Sequence, residues 1–323
     1  MKAIVQDRYG SVEILALEDI DKPVPKADEV RVRVRVAGLD PSVWHLMTGR
    51  PYLVRAAFGL RKPKLRVPGW DFAGKVEEVG AKVTAFKPGD EVFGVGNGSF
   101  AEYVCADEGK VVPKPANVTH EQAAAVPTSG ITALQAVRDK GRAEAGQRVL
   151  VVGAGGGVGT FAVQLAKEFG AHVTGVCSTS KTDLVTSLGA DEVIDYTRED
   201  FAEGTHRYDL ILDTAGMRPL PRLRSVLTPR GTLVLVGGEG EGRLLGGSGR
   251  TFHAAALSPF VRHKLRPMFS VPHKEELETL SALLENGKVT PIIDRSYPLN
   301  EAPEAIRRLQ EGHSRGKAII AVA

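Results

Sequence analysis

The chain has 323 residues, of which 42% are hydrophobic and 25% charged, and its formal net charge at pH 7 is +3. This composition is that of a globular protein, and the length suggests about two domains. Lys and Arg are dispersed without a long basic block or interleaved aromatic residues, so no nucleic-acid partner is expected. The two cysteines, Cys105 and Cys177, are far apart and lack a CxxC or HxxxH companion, so the sequence indicates neither a disulfide framework nor a thiolate metal site.

The N-terminus lacks the apolar core of a signal peptide. No stretch of the chain approaches the roughly 18 uncharged apolar residues of a membrane span. We therefore expect a cytoplasmic protein without a membrane partner.

The first part of the chain, up to about residue 118, is rich in predicted strands. Val and Arg alternate strictly through 29–36, which places the valines on one face of a half-buried strand. Short strands follow at 73–79, 91–94 and 100–106, each bounded by Gly, Pro or Asp, and together they suggest a compact antiparallel barrel or sandwich.

The segment 48–67 interrupts this pattern and is predicted to be a long, basic loop. It contains two prolines and six cations, which are Arg50, Arg55, Arg61, Lys62, Lys64 and Arg66.

After Thr119 and Gln122, which form a capping-box signal, strands and helices alternate. The predicted strands are 148–152, 172–176, 192–195, 208–213, 231–236 and a last sheet strand at 267–271, and the predicted helices between them are 157–169, 182–188 and 220–227. This order predicts a parallel, doubly wound sheet.

The glycine-rich stretch 239–250 is either a mobile active-site edge or a linker. Helices at 274–285 and 301–311 and a strand at 317–321 are expected to return to the first domain.

A dinucleotide site is predicted where the apolar run 148–152 enters a glycine-dense turn. Ala154, Gly156 and Gly159 occupy the fingerprint positions that permit the tight turn, close approach to the pyrophosphate and packing of helix on strand. The amphipathic helix that follows, beginning with Gly157 and Val158, offers free N–H groups to the anion. The alternative is an ordinary glycine-rich loop.

The motifs Pro-Gly-Trp-Asp-Phe-Ala-Gly at 68–74, Lys-Pro-Gly-Asp-Glu-Val at 87–92 and Gly-Ser-Phe-Ala-Glu-Tyr at 98–103 come in order before this turn. Leu-Gly-Ala-Asp at 188–191 and Gly-Lys at 316–317 come after it. Over its whole length the chain resembles the medium-chain dehydrogenase/reductase superfamily. The resemblance implies an α/β protein with a GroES-like β-rich domain, 1–123 with 273–323, a Rossmann cofactor domain, 124–272, and an active site in the cleft between them.

The chain departs from the zinc-dependent members of that superfamily. The regions of their catalytic Cys and of their Gly-His-Glu motif read Gly38-Leu39-Asp40-Pro41 and Gly69-Trp70-Asp71 here, so neither the thiolate nor the imidazole is present. Two cysteines cannot form a four-cysteine zinc lobe. His45, Asp40 and Asp71 together would be a poor set of ligands for a tetrahedral zinc ion. The resemblance is therefore to the zinc-independent branch, which is similar to quinone oxidoreductases and enoyl or enone reductases.

No carboxylate stands at 177–181, where NAD-preferring folds place an acceptor for the ribose 2′-hydroxyl. Ser178, Ser180 and Lys181 instead suit a 2′-phosphate, which predicts NADPH as the cofactor. A capped helix start with a solvated lysine is the alternative. The resemblance adds four further cofactor contacts, which are Tyr196, Thr128, Ala215 and Gly237.

The resemblance also places Tyr52 where related reductases carry a tyrosine, so we expect its hydroxyl to donate to the developing oxyanion. The alternative is an exposed loop aromatic. Asp40 replaces an Asn common in quinone-reductase relatives, and an ionised carboxylate only accepts hydrogen bonds. Trp44 and Phe58 are either pocket or core residues.

The expected function is zinc-independent, NADPH-dependent hydride transfer to small electrophiles such as quinones, enals or enones, by a homodimer. One alternative is a biosynthetic enoyl-thioester or ketone reductase or alcohol dehydrogenase, for which the cations of 50–64 could receive carrier phosphates. The alternative of another class is a non-catalytic NADPH-sensing or interaction protein.

Overall fold

The computed structural model describes residues 1–237, 248–312 and 314–322. Backbone contacts divide the chain into two compact units, Met1–Ile131 with Pro272–Ala323 and Thr132–Val271. The first segment of the first unit ends at Ile131, whereas the expected boundary was residue 123. Of the glycine-rich stretch 239–250, all but the last three residues lie outside the described ranges, and those three belong to a helix.

The described strands are β1 (Lys2–Val5), β2 (Ala16–Asp19), β3 (Glu29–Leu39), β4 (Asp71–Val79), β5 (Glu91–Val95), β6 (Tyr103–Asp107), β7 (Val111–Pro113), β8 (Arg148–Val152), β9 (His172–Cys177), β10 (Glu192–Asp195), β11 (Tyr208–Asp213), β12 (Leu227–Leu235), β13 (Lys264–Pro267), β14 (Ile293–Pro298) and β15 (Lys317–Ala321). The described α-helices are α1 (Pro41–Thr48), α2 (Leu53–Phe58), α3 (His120–Ala124), α4 (Pro127–Leu134), α5 (Gly157–Glu168), α6 (Thr182–Ser187), α7 (Leu220–Ser225), α8 (Ser248–Leu257), α9 (Lys274–Glu285) and α10 (Ala302–Gln310). Among these helices, none is long and apolar enough to cross a membrane.

The first unit is built on a sheet in the order β14, β15, β3, β4, β5, β7, in which β6 also pairs with β3. The predicted alternation in β3 is confirmed, because Val30, Val32 and Val34 are fully buried while Arg33 and Arg35 are exposed. The long strand β3 pairs with three strands, because β6 takes its residues 29–33 and β15 its residues 36–39, while β4 pairs with it along 30–37.

The prediction of one long loop at 48–67 was wrong in part, since α2 lies inside it and α1 ends at its first residue. None of the α2 side chains is fully buried, so this helix has no apolar stripe that a sequence pattern could reveal. Helix α1 did have a sequence signal, because Asp40 caps it and Pro41 occupies its first position.

The second unit contains the predicted parallel sheet, in the order β10, β9, β8, β11, β12, β13. From β8 the chain passes to β9 on one side and later to β11 on the other. The carboxyl ends of these three strands therefore surround a topological switch point, where open α/β sheets bind their ligands.

The last strand of this sheet was predicted at 267–271 but spans Lys264–Pro267, paired with β12. The apolar residues that suggested the later position are on the surface, with Phe269 73% and Val271 55% exposed. Hydrophobicity in this stretch therefore marks surface side chains and not a buried strand.

Candidate functional site

The glycine turn lies at the carboxyl end of β8, where Gly153 has a φ of 87° that an L side chain rarely adopts. A Cβ on Gly159 would lie 2.1 Å from the carbonyl oxygen of Gly153, so helix and turn pack too closely for any side chain there. Gly156 is the N-cap of α5, and a Cβ on it would meet no atom nearer than 3.4 Å. The backbone at 156 thus leaves the space into which a pyrophosphate fits.

Two more of the predicted residues, Gly157 and Val158, form the first turn of α5 and are half-buried, while Ala154 is fully buried. The N–H groups of a helical first turn have no partners within the helix. The positive end of a twelve-residue helix therefore faces the same place as the open glycine backbone.

The predicted 2′-phosphate residues follow the end of β9. Ser178 precedes a one-turn 3-10 helix, Thr179–Lys181. The hydroxyls of Ser178 and Ser180 are 3.3 Å apart. The backbone N–H of Tyr196 donates to the carbonyl of Cys177 at 3.0 Å, so this half-exposed tyrosine begins at the end of the same strand. The structure thus places these residues together at the carboxyl ends of β9 and β10.

The stem of Lys181 lies against the glycine turn. A Cβ built on Gly155 would be 2.7 Å from Cδ of Lys181 and 3.0 Å from its Cβ. The turn that carries Lys181 and the turn that begins α5 are therefore neighbours, as one nucleotide site requires.

A carboxylate that sequence reasoning missed, Asp195, lies beside this turn. Its backbone is in register with Cys177 in the β9–β10 pair. Asp195 accepts hydrogen bonds from the Thr179 hydroxyl at 2.5 Å, the Thr197 N–H at 2.9 Å and the Thr197 hydroxyl at 2.7 Å. The bond from Thr179 contributes most to holding the pKa of this carboxyl below its usual value. Its place as the last residue of the predicted strand 192–195 is the only sequence signal, because the register with β9 is set by the tertiary structure.

The ends of β11 and β12 bring the other predicted contacts to the same sheet edge. The Thr214 hydroxyl donates to the Val152 carbonyl at 2.8 Å, which ties the segment before half-buried Ala215 to the end of β8. The Gly237 N–H donates to the Asp213 carbonyl at 3.1 Å, and a Cβ on Gly237 would lie 2.3 Å from the Thr214 carbonyl oxygen. Ala215 and Gly237 therefore lie near the glycine turn.

Asp213 is fully buried at the end of β11, where the N–H of Gly216 and the guanidinium of Arg250 donate to it at 3.0 and 2.7 Å. Burial raises the pKa of Asp213, and the charge of Arg250 opposes that rise. The pair fixes the start of α8 at the same edge of the sheet.

The first unit holds a second polar cluster, around Asp71 at the start of β4. The hydroxyl of Thr128 donates to Asp71 at 2.5 Å, and its N–H lies 3.1 Å from both carboxylate oxygens. Lys317 places its Nζ 3.7 Å from Oδ2, and both side chains are buried. Burial raises the pKa of Asp71 to about 6, the Lys317 ammonium opposes this rise, and the Asp40 charge adds to it.

Asp40, a predicted catalytic residue, is 3% exposed and caps α1. Its Oδ1 accepts from the backbone N–H of Ser42 at 2.8 Å and also from the Ser42 hydroxyl. Its Oδ2 is buried without a hydrogen-bond partner among the described residues. One carboxylate oxygen therefore stabilises the helix, and the other still has acceptor capacity.

Tyr52, the other predicted catalytic residue, precedes α2 and is 40% exposed. The guanidinium of Arg55 packs over its ring at 4.7 Å and over the ring of Tyr9 at 4.5 Å. Arg55 Nε also donates to the Gly49 carbonyl at 3.0 Å, and the Tyr9 hydroxyl donates to the Gly59 carbonyl at 2.6 Å. The Tyr52 ring thus has a fixed neighbour on one face.

A small apolar pocket lies between α1 and the segment around Trp70. Phe58 is part of its wall and meets the Trp70 ring edge-on at 6.1 Å between centroids. Trp44, the other residue considered for a pocket, is partly buried and packs on the core of the first unit. The structure therefore gives Phe58 a pocket position and Trp44 a core position.

Sequence profiles of two families match the chain. The one described as alcohol dehydrogenase GroES-like domain covers residues 26–116, and the one described as zinc-binding dehydrogenase covers 188–320. The chain is 32% identical to the mitochondrial NAD(P)H oxidoreductase RTN4IP1 of Danio rerio, over 100% of this chain and 91% of that protein. It is 33% identical to the 2-methylene-furan-3-one reductase of Solanum lycopersicum, over 99% and 79%.

The structure also superposes on that of the quinone oxidoreductase from Coxiella burnetii, with a TM-score of 0.88 and 30% identity over 100% of this chain and 99% of that one. The chain belongs to the medium-chain dehydrogenase/reductase superfamily. Within it, the chain falls in the branch that resembles quinone oxidoreductases, and its two units are the GroES-like and Rossmann parts of that superfamily.

The matching dehydrogenase profile is named for zinc, but the side chains at Asp40, Trp70 and Asp71 are poorly suited to bind that ion. Trp70 cannot ligate, Asp40 already caps α1, and Lys317 supplies a positive charge to Asp71 at 3.7 Å. Over the parts of the chain that the structure describes, no group of three or more His, Cys, Asp or Glu could hold a metal ion. The residues of this member of the superfamily do not fit a zinc site.

Proposed function

We propose that this protein is a zinc-independent, NADPH-dependent oxidoreductase that reduces quinones, enals or enones by hydride transfer. The observation that supports it most is the glycine turn before α5, with the Ser178–Lys181 turn next to it at the switch point of the parallel sheet. Relatives named as NAD(P)H oxidoreductase, quinone oxidoreductase and 2-methylene-furan-3-one reductase support the same chemistry.

The pyrophosphate is assigned to the glycine turn at Ala154 and Gly156 and to the first helical residues of α5, Gly157 and Val158. The open position at Gly156 and the unpaired N–H groups of the first helical turn support this assignment.

The 2′-phosphate is assigned to the side chains of Ser178, Ser180, Lys181 and Tyr196. Their three hydroxyls and one ammonium can donate hydrogen bonds to a phosphate, and none of the four groups carries a negative charge that would repel it. The ribose and nicotinamide end is assigned to Thr128, Ala215 and Gly237.

When bound, the reduced nicotinamide would supply the hydride. The protein's own part is to hold the electrophile and to stabilise the charge that develops on its oxygen. Tyr52 is proposed as the donor to that oxygen, because its hydroxyl is on a half-exposed ring held by Arg55. Asp40 is proposed as an acceptor through its Oδ2, which has no hydrogen-bond partner among the described residues.

The cations of the segment 50–64 bear on the thioester alternative. Arg55 is bound to two tyrosine rings and to the Gly49 carbonyl, and Lys64 donates to the Ala57 carbonyl at 3.1 Å. These contacts leave fewer cations of the segment to bind the phosphates of a thioester carrier. They therefore favour small electrophiles that carry no phosphate over enoyl thioesters.

A homodimer is also proposed. Strand β13 ends the order of the described sheet in the second unit, and Phe260, Phe269 and Val271 beside it are 85%, 73% and 55% exposed. An open strand edge with apolar neighbours is the surface that a second copy would cover. The cytoplasmic location expected from the sequence stays a prediction.

The test of the proposed function is a screen of NADPH oxidation with quinones, enals, enones, ketones and enoyl thioesters as acceptors. We expect turnover with the first three classes. Turnover with enoyl thioesters alone would favour the biosynthetic alternative. Tight NADPH binding without turnover of any acceptor would favour a sensing or interaction protein.

A further inference from the structure

Asp195 poses a specific question, because a carboxylate beside the proposed 2′-phosphate site has two opposite meanings. It could accept the ribose 2′-hydroxyl of NADH, as acidic residues do in many dinucleotide folds. It could instead serve the protein's own hydrogen bonds and leave the phosphate site to other residues. Which meaning applies depends on whether its oxygens are already occupied.

The hydrogen bonds of Asp195 favour the second meaning. Oδ1 accepts two bonds from Thr197, at 2.9 and 2.7 Å, and Oδ2 accepts one from the Thr179 hydroxyl at 2.5 Å. An ionised carboxylate has about four acceptor positions, so three of them are filled by the protein itself. The residue is 8% exposed, which leaves little access for a ribose hydroxyl.

These bonds restrain the turn from Ser178 to Lys181. Thr179 is the first residue of the 3-10 turn, and its hydroxyl is also 2.9 Å from that of Thr197. Within the same turn the Lys181 N–H donates to the Ser178 carbonyl at 2.9 Å. Anchoring Thr179 to the end of β10 therefore fixes the backbone from which Ser178, Ser180 and Lys181 extend.

We propose that Asp195 is a positioning residue for cofactor selectivity, which holds the Ser178–Lys181 turn in the form that binds the 2′-phosphate through its contact with Thr179. This inference rests on the proposed NADPH function. It assigns to the carboxylate a role in binding NADPH without any contact with the nucleotide.

The chain offers a matched control in Asp191, just before the other end of β10. Its carboxylate accepts from the Val173 N–H at 2.7 Å and pairs with Lys167 at 2.8 Å. Asp191 and Asp195 thus both link the β9 and β10 segments through hydrogen bonds, but at opposite ends of β10. A purely structural role would make the two residues equivalent.

The experiment measures the dissociation constants of NADPH and NADH for the full-length protein and for Asp195→Ala, Asp195→Asn, Thr179→Val, Asp191→Ala and Lys181→Ala. We expect Asp195→Ala and Thr179→Val to weaken NADPH binding about 2- to 10-fold, the effect of one or two hydrogen bonds, with NADH affinity nearly unchanged. Asp195→Asn keeps one acceptor oxygen for Thr197 and turns an amide N–H toward the Thr179 hydroxyl, which can accept it, so this variant should retain most of the NADPH affinity. Asp191→Ala should lower the melting temperature and leave both constants unchanged.

Each other result has a defined meaning. If Asp195→Asn weakens NADH more than NADPH, the carboxylate accepts the ribose hydroxyl and the inference is wrong. If the parent binds both cofactors equally, the proposed cofactor fails, and the inference fails with it. If the parent prefers NADPH and Lys181→Ala removes that preference, but Asp195→Ala and Thr179→Val do not change it, the inference alone is overturned. Thr179→Val leaves the carboxylate in place, so it decides the question even if Asp195→Ala does not fold.

Discussion

The ammonium of Lys317 lies 3.7 Å from the carboxylate of Asp71, and the two side chains are 2% and 0% exposed. The pair joins the closing strand β15 to β4 through the interior of the first unit. Thr128 and Asp40 complete its surroundings. Asp71 thus belongs to a buried ion pair, and Asp40 caps a helix.

The buried pair makes stability depend on pH. An Asp carboxyl has an ordinary pKa of 3.8, and burial raises the pKa of Asp71 in the folded protein to about 6. Between these values the folded protein holds a proton that the unfolded chain releases, so stability from this group falls as pH rises through that window. Lys317→Met removes the charge that opposes the rise, so the window should extend above pH 6. We expect a loss of about 3–5 kcal/mol at pH 8 and a smaller loss at pH 5.

Thermal denaturation of the parent, of Lys317→Met and of Lys82→Met at both pH values tests this expectation. Lys82 is exposed, so its replacement should have little effect. Equal shifts of the Lys317→Met melting temperature at pH 5 and pH 8 would contradict the link to Asp71.

Cofactor preference provides the second prediction. NADPH should bind more tightly than NADH, and Lys181→Ala should narrow the difference by about 1–2 kcal/mol, because a charge-assisted contact to the phosphate is lost. Lys167→Ala is the control, since that lysine pairs with Asp191 before β10 begins. Fluorescence titration of the parent and the two variants with both cofactors gives the six dissociation constants needed. An unchanged difference between the cofactors in Lys181→Ala would remove this lysine from the site.

The third prediction concerns zinc. The residues at the ligand positions do not fit the ion, so the purified protein should contain no stoichiometric zinc, and a chelator should leave its activity unchanged. Elemental analysis before and after chelation is the measurement. One zinc per chain, lost together with activity, would refute the proposed mechanism.

Tyr52→Phe tests the proposed oxyanion donor. The substitution keeps the ring that packs on Arg55 and removes only the hydroxyl. We expect kcat/KM for an enone or quinone to fall about 10- to 1000-fold, with NADPH affinity unchanged. Tyr9→Phe is the matched control, because Tyr9 packs on the same guanidinium and its hydroxyl donates to Gly59. Similar losses in the two variants would show that loop stability, and not the Tyr52 hydroxyl, matters.

The fifth prediction concerns assembly. Replacing both Phe260 and Phe269 by Asp should convert the proposed dimer to a monomer, because charge on the apolar surface beside β13 opposes its burial by a second copy. Val24→Asp, at an 80% exposed site of the other unit, should leave the mass unchanged. Light scattering gives the mass of each variant. A parent that is already monomeric would contradict the proposal.

Sequence patterns gave the parallel sheet and its glycine turn because their signals are local. An apolar strand, a turn that requires glycine and an amphipathic helix are consecutive in the chain at 148–168, and the structure has all three there. The same holds for β3, whose alternation of Val and Arg directly reflects which face is buried.

Elements without a local signal were missed. Helix α2 buries none of its residues, so no periodic pattern marks it. The last strand of the parallel sheet was placed too late, because surface residues such as Phe269 resemble core residues in a sequence. Hydrophobicity records composition, whereas burial depends on what packs against the segment.

The chemistry of the polar residues was decided only by tertiary structure. The sequence by itself determined which residues are present, including Asp40 and Asp71 and no acid at 177–181. It could not show that Asp195 lies beside Thr179, because that contact depends on the register of two parallel strands. Nor could it show that Lys317 lies near Asp71, since residues far apart in the chain meet only when β15 and β4 join one sheet.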